Sequence, residues 1–465
     1  MEYSELSIPS PEPPASLARD GTRKGRIVVP VVLIAVALLL LWPHAFSSRW
    51  FSKSKQVGLA RVYSGDEPHY MVILNSILRD HDLDLANNYT DVHQGGEQAG
   101  RAFQGQALDH HTAWVVNGQN VRWNNVFEMD SSRWSYDKNH HPVPKLADGV
   151  PSSFLPTREY SSHWPGLPLL LAPFLFPLSG TTYLEPAAIL CSWIATVLSM
   201  LAFASLARSF GASKNSTLVA VALTFLGTPV WHYSRTFFTE PYALACVLGA
   251  YALYVGGRCA LLAGVLCGLG VLMKNSFIVM AMPLGAYMLV RKQWKDAVLF
   301  AAPIGLAVVA SMLLNQMMFG TYFLGPQGWE EGNVATGTVG LFFSTGHGLL
   351  TFAPVVVSAL IGWPALLRAR RDKAILVLCG FLSHFALIAN YGGWHGGFCF
   401  GPRHIVPVIP FLMLGLLFRG QQRPLRPWHY ADIVMLGLLS LWINFRGAVP
   451  YWNYFNAHPL AKLFN

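Results

Sequence analysis

The feature that most limits what this chain can become is a succession of long apolar runs joined by short links that hold most of its Lys and Arg. A run of about 20 apolar residues closes its own backbone hydrogen bonds as a helix and matches the hydrocarbon layer of a bilayer. The first run is Ile27 to Trp42; the others occupy approximately 185–207, 216–233, 240–257, 259–273, 276–290, 297–318, 348–367, 374–391, 404–418 and 430–445. The expected fold is therefore an all-α polytopic membrane protein with about eleven transmembrane helices and a large extracytoplasmic first loop. Composition agrees: 53% of residues are hydrophobic and 12% charged, against about 25% charged in ordinary soluble domains. A net charge of +9 would suit nucleic acid, but no basic patch with interleaved aromatics lies outside the apolar runs, which excludes that partner. None of the six cysteines falls between 45 and 165, and none forms a CxxC pair, which argues against a disulfide framework and a thiolate metal site.

Charge placement orients the runs. Residues 1–25 read as a disordered cytoplasmic tail, 26–44 as the first transmembrane helix, 45–184 as an extracytoplasmic loop with interfacial helices, 185–445 as the bundle and 446–465 as an extracytoplasmic tail. The links then predicted inside carry Arg208 and Lys214; Arg258; Arg291, Lys292 and Lys295; Arg368, Arg370, Arg371 and Lys373; and Arg419, Arg423 and Arg426. The predicted outer link 319–347 has no Lys or Arg, as the positive-inside rule expects. Gly166 to Leu178 is apolar but interrupted by Pro168, Pro173 and Pro177. At roughly 1.5 Å per residue it is too short to cross, so an interfacial or re-entrant helix is expected.

Three basic residues break the pattern. Arg235, Lys274 and Arg403 fall on the outer side, at or near the ends of runs. Each either snorkels to lipid headgroups or has an anionic partner. Lys274 sits between two runs of about 15 residues, each only roughly 22 Å of helix. The two must form a hairpin whose turn is drawn towards the membrane surface or a protein cavity.

Acids lie on the same side. Asp66-Glu67-Pro68-His69-Tyr70 opens a helix, with Pro68 suited to its first turn, Asp66 placed to cap it, and an apolar face of Tyr70, Ile73, Leu74, Ile77 and Leu78 that would lie along the membrane surface. Two adjacent carboxylates there also offer a general base or a ligand for a divalent cation. Glu240, in Phe238-Thr239-Glu240-Pro241, reads as a helix start capped by Thr239 or as a partner of Arg235. The glycine-rich segment Gly392 to Phe398 leads into Gly401-Pro402-Arg403-His404, where an Arg at a helix start can chelate phosphate. Asp109-His110-His111, His140-His141 and His163 could gather a metal, although their spacings match no helical ligand pattern. Trp329-Glu330-Glu331, in the outer link, either shapes acceptor access or merely connects two helices.

In order along the chain, the Asp66-Glu67 pair, Trp164-Pro165-Gly166-Leu167-Pro168, Thr239-Glu240-Pro241, Gly268 to Lys274 and Phe400-Gly401-Pro402-Arg403-His404 resemble the GT-C membrane glycosyltransferases. The resemblance is to bacterial relatives of the protein O-mannosyltransferases and the aminoarabinose lipid A transferase, and it runs from about 60 to 418. Gly346-His347-Gly348 departs from it, standing where many relatives have an Arg. The resemblance implies an inverting transfer of a sugar from a polyprenyl-phosphate donor to a glycan, lipid or protein acceptor, outside a bacterial inner membrane. Asp66 would then be the general base and Glu67 its companion, orienting the acceptor or a divalent cation. Lys274 and Arg403, with His404, would meet the lipid phosphate, and Glu240 and Arg235 would line the cavity. The competing readings are a transporter or flippase, which would show internal repeats and broken helices, and an O-antigen ligase-like enzyme, whose large outer loop comes late in the chain.

Overall fold

A computed structural model describes residues 23–46, 62, 66–85, 87–88, 111–116, 119–122, 135–136, 142–143 and 158–448, apart from 258, 324–328, 398 and 420–429. Residues 1–22 and 449–465 of the expected tails, with His110, His140, His141, Arg258, Arg423 and Arg426, lie outside the described residues; residues 23–25 and 446–448 belong to the first and last helices.

Every expected run contains helix, although several of them are interrupted or partly 3-10. The helices are α1 (Arg23–Phe46), α2 (Glu67–Arg79), α3 (Gly166–Leu175), α4 (Leu184–Ser209), α5 (Lys214–Leu226), α6 (Glu240–Val255), α7 (Ala260–Met273), α8 (Ile278–Val290), α9 (Trp294–Phe319), α10 (Val334–Phe343), α11 (Val355–Ala369), α12 (Arg371–Ala389), α13 (Ile409–Met413) and α14 (Ala431–Ala448). Four of them (α4, α9, α12 and α14) are long and apolar enough to cross a bilayer, and shorter apolar helices of 10–17 residues fill most of the other runs. Length and apolarity thus single out four spans among the described residues, and the count of about eleven is not confirmed by that measure. Two of the other runs are interrupted for local reasons. The run at 216–233 breaks after Leu226 and resumes as the turn Val230–Tyr233, and the run at 404–418 is 3-10 helix on both sides of α13. Pro229, Pro407 and Pro410 sit at these points, where a missing N–H and a ring clash oppose a regular helix.

The main core is a continuous apolar cluster drawn from α1, α4–α9, α11, α12 and the 403–418 segment. Small residues let α7 and α9 approach backbone to backbone. A Cβ on Gly264 would lie 2.3 Å from the Phe300 carbonyl oxygen, and one on Gly268 would lie 2.9 Å from that of Pro303. This small-xxx-small contact fixes the C-terminal end of α7, and hence Lys274, beside the C-terminal half of α9.

A second apolar cluster seats the outer segment on the bundle. It joins Tyr70, Met71, Ile73, Leu74 and Leu78 of α2 to Leu167 and Leu175 of α3, Leu184 and Ile189 of α4, and Phe237, Tyr242 and Met273. Almost all of α2 is buried, so it is enclosed by protein rather than laid with one face open along a surface. The outer segment also holds antiparallel strands among its described residues: β1 (Thr112–Val116), β2 (Gln119–Arg122), β3 (Ser135–Tyr136), β4 (Pro142–Val143) and β5 (Tyr160–Ser161). They form a sheet in the order β2-β1-β5 and a separate β3-β4 pair.

Candidate active site

Asp66 occupies the cap position of α2 but does not cap it. Its backbone is already helical and its side chain makes no capping hydrogen bond. The carboxylate turns instead to Arg403, whose Nη2 lies 2.5 Å from Asp66 Oδ2. Glu240 begins α6, and Thr239, at the cap position, likewise makes no side-chain cap. Arg403 Nε donates to Glu240 Oε1 at 3.0 Å, so one guanidinium joins both acids through different edges. Its Cζ lies 4.0 Å from the centre of the Phe238 ring, an apolar support that suits a weakly hydrated planar cation. Lys274 Nζ lies 3.8 Å from Glu240 Oε1, and His404 Nδ1 lies 4.0 Å from the same oxygen.

Local sequence explains how these groups reach one another. Lys274 ends α7 in an extended backbone conformation (φ −159°, ψ 114°) that breaks the helix before the 3-10 turn Asn275–Phe277. Trp164 Nε1 donates to the Leu272 carbonyl, using an acceptor left over at the helix end. A Cβ at Gly166 would lie 1.7 Å from that carbonyl oxygen, so only glycine lets the Trp-Pro-Gly segment press so closely on α7. On the other side, Gly396 (φ 76°), Gly397 (φ 69°) and Gly401 (φ 64°) adopt the left-handed backbone that glycine enters without steric cost. They fold the segment before Arg403 over the pocket. A Glu331–Tyr391 bridge and a hydrogen bond from the Gly392 N–H to the Glu330 carbonyl at 2.8 Å tie the 329–333 link to this roof.

The result is a cavity of about 630 Å³ lined by Asp66, Tyr70, His163, Trp164, Lys274, Asn315, Trp329, Tyr391, His395, Arg403 and His404, among others. Asp66 is 25% exposed, Lys274 31% and Arg403 only 5%, so the two first groups face the cavity while Arg403 is packed behind them. Burial pushes the Asp66 carboxyl up, but Arg403 and then His163 oppose it, and the net effect holds the group well below the usual carboxylate range. His163 is pulled down to about 4, chiefly by burial and against the pull of Asp66, so it is neutral at pH 7. The lining holds one carboxylate, Asp66, and two cations, Lys274 and Arg403. Glu240, expected to line the cavity, instead lies buried against both cations, so the cluster as a whole is close to electrically balanced.

The remaining sequence-level candidates stand elsewhere. Glu67 is buried with Oε1 accepting the Phe237 N–H at 2.7 Å, and it is not among the cavity-lining residues. Arg235 also stays off the lining; its Nη1 donates to the Ala448 carbonyl. His232 Nδ1 is 2.7 Å from the Gly447 carbonyl, and together the two residues serve the last carbonyls of α14. Asn315 was missed from the sequence. It is buried in α9, its Oδ1 has no hydrogen-bond partner, and it lines the cavity. An amide inside a 26-residue apolar helix was the available signal.

No protein-family profile and no curated protein sequence matches the chain. Solved structures do. ArnT from Cupriavidus metallidurans in the apo state superposes with a TM-score of 0.51 at 14% identity, over 87% of this chain and 62% of that one. This chain has the GT-C fold. Two Archaeoglobus fulgidus structures of that fold also match. One is the oligosaccharyltransferase AglB in complex with an inhibitory peptide and a dolichol-phosphate, with a TM-score of 0.49 and 12% identity over 92% of this chain and 56% of that one. The other is the apo oligosaccharyltransferase, with a TM-score of 0.47 and 10% identity over 91% and 56%. The chain thus spans little more than half the length of these proteins. In this GT-C fold, helices long and apolar enough to cross a membrane surround a polar cavity assembled from distant segments.

Proposed function

We propose that this chain is an inverting glycosyltransferase that moves a sugar from a polyprenyl-phosphate donor to an acceptor hydroxyl on the extracytoplasmic side of a bacterial inner membrane. The observation that carries the reading is the convergence of Asp66, Lys274 and Arg403 on one cavity, with Glu240 buried against both cations. A lipid phosphate at the edge of an apolar bundle needs cations that are already paired, so that they are stable before it arrives. An acceptor hydroxyl needs a carboxylate within reach.

In the proposed reaction the acceptor oxygen attacks the anomeric carbon as the bond from that carbon to the phosphate oxygen breaks. The bonding pair leaves with the phosphate, and Asp66 takes the acceptor proton. Attack from the face opposite the leaving group inverts the centre. Negative charge grows on the phosphate, where Lys274 and Arg403 stabilise it more strongly in the transition state than in the ground state. Arg403 has a second part. While it holds Asp66, the carboxylate is a weak base; a phosphate that draws the guanidinium towards itself raises the basicity of Asp66 once donor is present. Glu240 keeps both cations in place, and Glu67 is assigned to positioning α2.

The test is Asp66→Asn in purified protein, assayed with a polyprenyl-phosphate sugar. The expected result is a loss of turnover of about 10²–10⁴-fold, the usual share of a general base, with monodisperse protein and retained donor binding. Turnover at the wild-type rate would remove Asp66 from the chemistry.

A further inference from the structure

Behind Asp66, three imidazoles from separate elements meet. One ring nitrogen from each of His69, His111 and His163 lies within 4.8 Å of the other two. His111 Nδ1 and His163 Nε2 are 3.1 Å apart, and the His69 and His111 rings stack with centroids 3.9 Å apart. The fold brings them together in a definite way. His69 lies three residues after Asp66, close to one turn along α2. His111 directly precedes β1, and His163 follows β5 by two residues. The β1–β5 ladder pairs Thr112 with Ser161, and the Ser162 N–H donates to the His111 carbonyl at 2.7 Å. The spacing in sequence matched no ligand pattern because no two of these residues share an element.

We propose that His69, His111 and His163 form a site for a zinc-class transition-metal ion in the wall of the cavity. Nitrogen ligands about 2.0–2.1 Å from a tetrahedral ion are separated by about 3.3 Å. The His111–His163 pair is already at nearly that spacing, and turning the His69 ring closes the third side. His163 presents Nε2 to this point while its Nδ1 lies 4.0 Å from Asp66 Oδ2. A carboxylate behind a ligating imidazole is the arrangement that orients such ligands and raises their basicity. An all-imidazole donor set favours Zn²⁺, Co²⁺ or Ni²⁺ over Mg²⁺ and Ca²⁺, which prefer oxygen. The site is therefore distinct in chemistry from a hard-cation site on the Asp66 and Glu67 carboxylates. Three protein ligands leave a fourth position open. Bound there, the ion ties the β1–β5 sheet to α2 and so fixes the wall that carries Asp66. The assignment is independent of the transferase reading.

Chelator-treated, full-length protein titrated with Zn²⁺ alone should take up one equivalent at micromolar or tighter affinity and gain thermal stability. Co²⁺ in its place should give the intense visible absorption of a four-coordinate ion, and Mg²⁺ should not compete. His111→Ala should weaken Zn²⁺ binding by 100-fold or more while the protein remains monodisperse, and Asp66→Asn should weaken it by about tenfold, the lower end for an outer-shell partner. The absence of stoichiometric uptake by the wild-type protein would overturn the site, without any variant having to fold. So would a weak six-coordinate Co²⁺ spectrum, or undiminished binding by a folded His111→Ala protein.

Discussion

Arg403 Nη2 lies 2.5 Å from Asp66 Oδ2, although 337 positions separate them along the chain. The same guanidinium reaches Glu240 through Nε, so a single side chain fastens the outer segment, the start of α6 and the last part of the bundle to one point. A buried cation shared by two acids adds little stability compared with apolar packing, but removing it leaves charges without compensation.

Arg403→Ala should therefore destabilise the protein by about 3–5 kcal/mol, the usual cost of breaking a buried pair. Arg403→Lys should recover part of this, because a point charge cannot serve two carboxylates through separate edges. Thermal unfolding in detergent, followed for both variants, checks the order. Equal stabilities for Lys and Ala would contradict the two-edged role.

The pH dependence of that loss has a definite sign. In the wild type the Asp66 carboxyl is held below its ordinary value of 3.8. Its contribution is thus fully present above about that pH and is lost only as pH falls through the lower native value. In Arg403→Gln burial is opposed far less, so the native carboxyl should bind a proton more readily than the unfolded one. The variant then gains stability as pH falls. The gap in melting temperature between wild type and Arg403→Gln should be smaller at pH 5.5 than at pH 8; a gap that widens on acidification would refute the argument.

Lys274→Ala removes a half-buried cation from the cavity while Arg403 stays with both acids. The donor Michaelis constant should rise by about tenfold or more, since a charge-assisted contact is worth about 1.5–3 kcal/mol. The acceptor constant should change much less. Steady-state kinetics with each substrate varied in turn separates the two, and an unaltered donor constant would take Lys274 away from the phosphate.

Glu67 offers a test of positioning against chemistry. Its Oε1 accepts the Phe237 N–H, a role that a Gln carbonyl oxygen can also fill. Glu67→Gln should stay close to wild type in turnover and stability, whereas Glu67→Ala should lose about 1–3 kcal/mol by orphaning a buried donor. Loss of turnover in Glu67→Gln with unchanged stability would instead make its charge part of the reaction.

The sequence alone determined where the chain becomes helical, that its basic residues sit mainly between the runs, and that Asp66, Glu240, Lys274 and Arg403 share one side. These are local or additive properties, since apolar periodicity and charge counting need no knowledge of contacts. Tertiary structure decided which of two neighbouring acids faces the cavity. Adjacent residues on a helix point about 100° apart, so Asp66 and Glu67 cannot both face it, and the packing of α2 against Phe237 turns Glu67 away. It also decided that Arg235 serves α14 while Arg403 takes Glu240, and that His69, His111 and His163 meet. Each of these depends on pairings across many tens of residues, where the geometry is fixed only when the whole bundle packs.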